Sequence, residues 1–158
     1  MKKRVKISII IASIIVIVGF TMFSFVAFLG FGPTRATADD FSLTIYVREE
    51  NRTVVRGERI YIDVTLTNNT WRAQRISYSG PLFSPRIHGI TIGYEWTSGP
   101  GVRMRVSNSI QQKIYMRIPN TAEVGYYDLS VISLFSLNRS GVYVGDYIQS
   151  NIIEINII

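Results

Sequence analysis

Apolar positions along this chain follow two different rules, and the change of rule near residue 40 divides it. Residues 7–31, ISIIIASIIVIVGFTMFSFVAFLGF, are 25 consecutive positions without a charge. As a helix they would extend about 37 Å at about 1.5 Å per residue, more than the ~30 Å hydrocarbon core of a bilayer. They carry no polar stripe of the kind that turns a surface helix toward water. The expectation is one N-terminal transmembrane helix, or the apolar region of an export signal.

Beyond residue 40 the period is two, the mark of half-buried strands. Residues 41–47 place Phe41, Leu43, Ile45 and Val47 on one face. Residues 59–67 place Ile60, Ile62, Val64 and Leu66 inward, with Tyr61, Asp63, Thr65 and Thr67 outward, and Asn68-Asn69-Thr70 ends the run in turn residues. A weaker strand is expected over 72–79, a loop from Gly80 to Pro85, and a strand over 87–96 with His88, Ile90, Ile92, Tyr94 and Trp96 on one face. After the turn Thr97–Gly101, residues 102–107 alternate Val102, Met104 and Val106 with Arg103 and Arg105. Residues 110–118 place Ile110, Ile114, Met116 and Ile118 inward, with Lys113, Tyr115 and Arg117 outward. The last strands are expected over 126–137, with Ser133 a candidate bulge, and over 142–157, broken near Gly145-Asp146.

Seven or eight short strands separated by turn signals predict an all-β fold, an antiparallel immunoglobulin-like sandwich behind the N-terminal helix. The expected division is a cytoplasmic basic segment 1–6, the apolar segment 7–31, a linker 32–40 and one extracytoplasmic β-sandwich domain 41–158.

Charge refines this picture. The chain carries a formal +6, but Lys2, Lys3, Arg4, Lys6 and Arg35 account for five of those charges. From Asp39 onward, eleven arginines and one lysine face eleven acids, a net of +1. The basicity therefore flanks the apolar run and orients it with the N-terminus in the cytoplasm. A nucleic-acid binder would concentrate positive charge in its folded domain, so no nucleic-acid partner is expected. Ala36-Thr37-Ala38 matches the small-residue pattern of a signal-peptidase site. Two readings stand: a cell-membrane protein anchored by a single pass with its C-terminal domain outside, or a protein secreted after cleavage behind Ala38.

Glu123-x-Gly125-x-Tyr127-x-Leu129 resembles the D-x-G-x-Y-x-C motif of immunoglobulin-like domains. The resemblance implies a tyrosine corner, with Gly125 opening the strand, the Tyr127 hydroxyl bonding back, and Leu129 in the place of the cysteine. Val64, Leu66, Asn68 and Thr70, followed by Gly125, Tyr127, Leu129 and Val131, are similar to the strand pattern of bacterial cell-surface sandwich modules. These include the proteinase-inhibitor-type, cell-adhesion-related and alpha-galactosidase-associated domains. This likeness implies an adhesion or accessory module rather than an enzyme.

The chemical inventory points the same way. With no cysteine and His88 the single histidine, thiol chemistry, a lipidated cysteine and a histidine-rich metal site are excluded. His88 shares its parity with Ile90 and Ile92 and reads as a partly buried structural residue. The acids Asp39, Asp40, Glu49, Glu50, Asp63, Asp128, Asp146 and Glu154 are scattered, with no calcium-loop spacing. No cofactor, metal or catalytic residue is expected. Asn51, Asn68 and Asn138 stand in glycosylation sequons. The outward residues Tyr61, Arg103, Arg105, Tyr115 and Arg117 form a candidate binding face if their strands share a sheet, a composition suited to interfaces.

The function expected is non-catalytic: a membrane-anchored or secreted binding module contacting a protein or a cell-wall polymer. The alternative is a subunit of a surface filament with the N-terminal helix as its core. The boundary KKRVK-Ile lacks the Gly or Ala of a prepilin-type cleavage site and speaks against the filament. The oligomeric state and the identity of the partner are not written in the sequence.

Overall fold

A computed structural model describes residues 13–25, 35–78, 80–91, 102–104, 108–139 and 142–158. Residues 13–25 are α-helical, with Ile14, Phe20, Phe23 and Phe25 exposed. Among the described residues no helix is long and apolar enough to cross a membrane. The remainder of the expected 7–31 helix lies outside the described residues, as does the basic segment 1–6.

The domain is an all-β sandwich of two sheets. The smaller sheet is β1 (Phe41–Tyr46), β3 (Arg59–Asn68) and β7 (Ser109–Arg117), in the order β1-β3-β7 and antiparallel throughout. The larger sheet centres on β8 (Gly125–Arg139). On one side of β8 lie β4 (Gln74–Ser77) and β5 (Phe83–Ile87); on the other lie β9 (Val142–Gln149) and β10 (Ile153–Ile157). The outer positions belong to β6 (Val102–Met104), paired to β4, and to β2 (Thr53–Val54), paired to β10.

The period-two pattern explains the layers. Ile60, Ile62, Val64 and Leu66 from β3 are at most 1% exposed, and so are Leu129, Val131 and Leu137 from β8. These two rows face each other and form the centre of the core. Phe41 and Phe135 bridge the sheets edge to face, with ring centroids 5.2 Å apart. Asn68 ends β3 from inside: its Nδ2 donates to the Arg72 carbonyl and its Oδ1 accepts from the Thr70 backbone and hydroxyl. This Asx-type closure satisfies a fully buried amide. The Asn68 sequon is therefore a folding element, its side-chain nitrogen enclosed.

Several expectations shift. The segment from Gly80 to Pro85, read as loop, includes the start of β5, in which Phe83 and Ser84 are buried. His88 lies in the turn after β5 and is exposed, with its backbone N–H donating to Asp128 O. The 87–96 strand ends its described part there, and residues 92–101 lie outside the described residues. Ser133 forms no bulge: β8 keeps its alternation through it, and the side chain points into the core. The break in 142–157 falls at residues 150–152 rather than near Gly145. There, Ser150 inserts an extra residue opposite β8, exchanging bonds with Val131 through its N–H and its Oγ. One pairing is parallel, β2 with β10, because the first strand crosses to the second sheet after the 3-10 turn Glu49–Asn51.

Candidate functional site: the outer face of the small sheet

β3 and β7 pair in register over nine residues, Arg59 opposite Arg117 to Thr67 opposite Ser109. With Ile60 and Ile62 fixed in the core, the odd positions must stand on the outer face. Tyr61 and Tyr115 therefore lie side by side, with ring centroids 6.1 Å apart and ring planes tilted by 54°. Both are about half exposed, at 48% and 51%. The Arg59 guanidinium sits over the Tyr115 ring, 4.6 Å from its centroid. At an exposed site such a cation–π contact contributes about 0.5–1 kcal/mol and holds the ring in one orientation.

Around this pair, Arg117 donates from Nε to the Gly57 carbonyl at 2.8 Å, tying β7 to the turn before β3. Gly57 has φ +83°, a conformation that glycine adopts without steric cost. One step along, Lys113 pairs with Asp63 at 3.7 Å, both exposed. Tyr46 of β1, 56% exposed, lies opposite Asp63. A shallow depression of about 300 Å³ opens beside these residues, lined by Arg48, Asn51, Tyr61, Asp63 and Lys113. Flat aromatic area, two arginines and one ion pair make a surface suited to contact.

The expected five-residue face is not assembled whole. Tyr61, Tyr115 and Arg117 are neighbours on one sheet. Arg103 belongs to β6, whose backbone pairs with β4 in the other sheet, and Arg105 lies outside the described residues. Met104 of that strand is fully buried, and among the described residues β6 ends the order of the larger sheet beside β4. Alternation alone could not tell which sheet the strand would join. Arg59 and Tyr46 escaped the sequence reading, although alternation placed both outward, Arg59 in phase with Tyr61 and Tyr46 out of phase with the inward Ile45.

The corner sequence is placed at the start of β8. Gly125 has φ +156°, the Tyr127 hydroxyl donates to the Glu123 carbonyl at 3.0 Å, and Leu129 is fully buried between the sheets. Tyr127 packs its ring at the margin of the core while its neighbour Tyr126 is 72% exposed. Ala36 and Ala38, read as linker, are packed against the domain. Four of the described carboxylates have local partners: Asp40 with the Thr37 N–H, Asp146 with Arg139, Asp63 with Lys113 and Glu50 with Arg48.

No family model matches the chain, and no curated protein matches it. Solved structures with a similar course of the chain include the CARDB domain of a Pyrococcus furiosus protein, solved in complex with di-metal ions. That match is 9% identical, covers 79% of this chain and 95% of that one, and has a TM-score of 0.43. A sporulation control protein of Bacillus subtilis matches at 11% identity over 75% of this chain and 49% of that one, with a TM-score of 0.46. A family 123 glycoside hydrolase of Clostridium perfringens matches at 8% identity over 75% and 27%, with a TM-score of 0.37. The resemblance to immunoglobulin-like modules is weak. Relationships this remote transfer no site and no activity.

Proposed function

We propose that the protein is a non-catalytic binding or accessory module, held at the outer side of the cell membrane by its N-terminal apolar segment. It meets a protein or cell-wall-polymer partner through the outer face of the small sheet. The observation that carries this reading is the Tyr61–Tyr115 pair with Arg59 stacked on it. Two large aromatic rings, half in water and held by a cation, are an arrangement that binding would bury with gain, since Tyr and Arg anchor interfaces. The uncharged run 7–31 behind a basic N-terminus supports the location.

The test is capture of a partner from wall and envelope fractions by the full-length protein in detergent. Tyr61→Ala combined with Tyr115→Ala removes the capture while Tyr126→Ala, exposed elsewhere, preserves it. A double variant that binds like the parent overturns the assignment of this face. Turnover of a hydrolase substrate, lost on replacing one carboxylate, overturns the non-catalytic reading.

A further inference from the structure

Residues 36–40 enter the fold through a clamp. Ala36 is 5% exposed and belongs to the core cluster with Phe41 and Leu137. Its carbonyl accepts from Arg139 Nε at 3.1 Å. The Ala38 N–H donates to Asp146 Oδ2 at 3.1 Å, and the same oxygen accepts from Arg139 Nη2 at 2.6 Å. The other carboxylate oxygen, Oδ1, accepts the Tyr147 N–H. Arg139 is the last residue of β8 and Asp146 lies within β9, so one charge-assisted network ties the entering chain to both arms of a hairpin. The ion pair is partly shielded, its side chains 30% and 23% exposed. Beyond it, Ala38–Asp40 form a 3-10 turn, closed by Thr37 N–H to Asp40 Oδ2 and by Asp40 N–H to Thr37 O.

This segment is also the A-x-A sequence. A protease that recognises small residues at the first and third positions before its cut must draw both side chains, and an extended backbone, into its own cleft. Here the third-position side chain lies in the core and the Ala38–Asp39 bond lies in a closed turn. We propose that folding of the sandwich closes the Ala38–Asp39 bond to processing, and that the Arg139–Asp146 clamp is the lock. A folded chain keeps its N-terminal segment; the bond is open only before folding or after the clamp is released. The physiological protease rests on the export reading above, whereas the lock itself is a property of the folded domain.

The experiment adds pancreatic elastase, which cuts after small side chains, to the full-length protein in detergent micelles, and follows by mass the fragment that begins at Asp39. In the parent this fragment appears only slowly, at the rate set by rare local opening, while the domain stays folded by near-ultraviolet circular dichroism. Asp146→Asn and Arg139→Ala raise its rate of appearance by about ten- to a hundredfold, because cleavage follows the population of the locally opened form. Should Arg139→Ala fail to fold, the isosteric Asp146→Asn carries the test, and slowed hydrogen exchange at the Ala38 amide in the parent provides a second readout. Cleavage of the folded parent as fast as of a peptide spanning residues 32–44 overturns the proposal, as does a folded Asp146→Asn cut no faster than the parent. Failure of the chain to partition with membranes refutes the export reading and leaves this result intact.

Discussion

Ser133, opposite Ile148 of β9, and Ser150, bonded to Val131 in the break after β9, are two buried serines of one sheet, and replacing each by alanine is expected to move stability in opposite directions. Ser133 lies within β8 with its side chain fully buried, and its Oγ has no hydrogen-bond partner among the described residues. A buried hydroxyl without a partner costs about 1–3 kcal/mol of lost hydration. Ser133→Ala removes that cost and leaves a hydroxyl-sized void of about 15 Å³, unfavourable by about 0.4 kcal/mol at about 24 cal/mol per Å³. The net expectation is a gain of about 0.6–2.6 kcal/mol. Ser150 is nearly as buried, but its hydroxyl accepts from the Val131 N–H at 2.9 Å and donates to the Asn151 carbonyl at 2.7 Å. Ser150→Ala strands a backbone donor at the bulge and is expected to lose about 1–3 kcal/mol. Urea unfolding of the full-length protein in detergent, followed by near-ultraviolet circular dichroism, gives both numbers with unchanged m-values. Equal signs for the two substitutions would refute the hydrogen-bond assignment of this sheet.

Three further outcomes follow from the same geometry. Tyr127→Phe loses an exposed bond to the Glu123 carbonyl, so water takes over the acceptor and unfolding should show a loss of about 0.5–1 kcal/mol, with Tyr126→Phe unchanged within about 0.5 kcal/mol. Gly57→Ala places a Cβ against Asn120 Oδ1 at a positive φ and should lose about 1–3 kcal/mol, of which Asn120→Ala in the same chain recovers the part due to the clash but not the part due to backbone strain. Arg59→Ala should weaken partner capture with a melting temperature within about 2–3 °C of the parent, because the stacked contact is exposed.

What the sequence displays well is whatever one strand decides alone. Ile60, Ile62, Val64 and Leu66 alternate cleanly because one face of β3 is core and the other water. The same logic fixed Tyr61, Tyr115 and Arg117 outward and Leu129 inward. Readings that depend on which strand lies beside which were the ones that changed. Arg103 alternates like its neighbours, yet its strand bonds to β4 across the sandwich. β5 was hidden because Pro85 interrupts its pattern, although the strand pairs with β8 through that residue. Ser133 was misread because a polar residue in an apolar row signals equally a bulge or a buried hydroxyl. Ala36 looked like linker, since a methyl group gives no hint that Arg139, more than a hundred residues away, holds its carbonyl.

The clamp and the tyrosine pair lie at opposite ends of the sandwich, and this separates two kinds of partner. Phe41 follows the clamp directly and is level with Asn68. Tyr61 is seven residues farther along β3, about 23 Å at about 3.3 Å per residue. A domain held at residue 36 therefore presents Tyr61, Tyr115 and Arg59 at its far end. The end beside the clamp exposes Val142, Tyr143 and Tyr147 instead, residues suited to a partner that lies close to the entering chain. A soluble or wall-borne partner should be lost with Tyr61→Ala and Tyr115→Ala and kept with Tyr143→Ser and Tyr147→Ser. Membrane fractions and wall fractions, offered separately to both double variants, read the difference directly. Capture that depends on Tyr143 and Tyr147 alone would place the contact at the clamped end, and the outer face of the small sheet would then be a solvated surface.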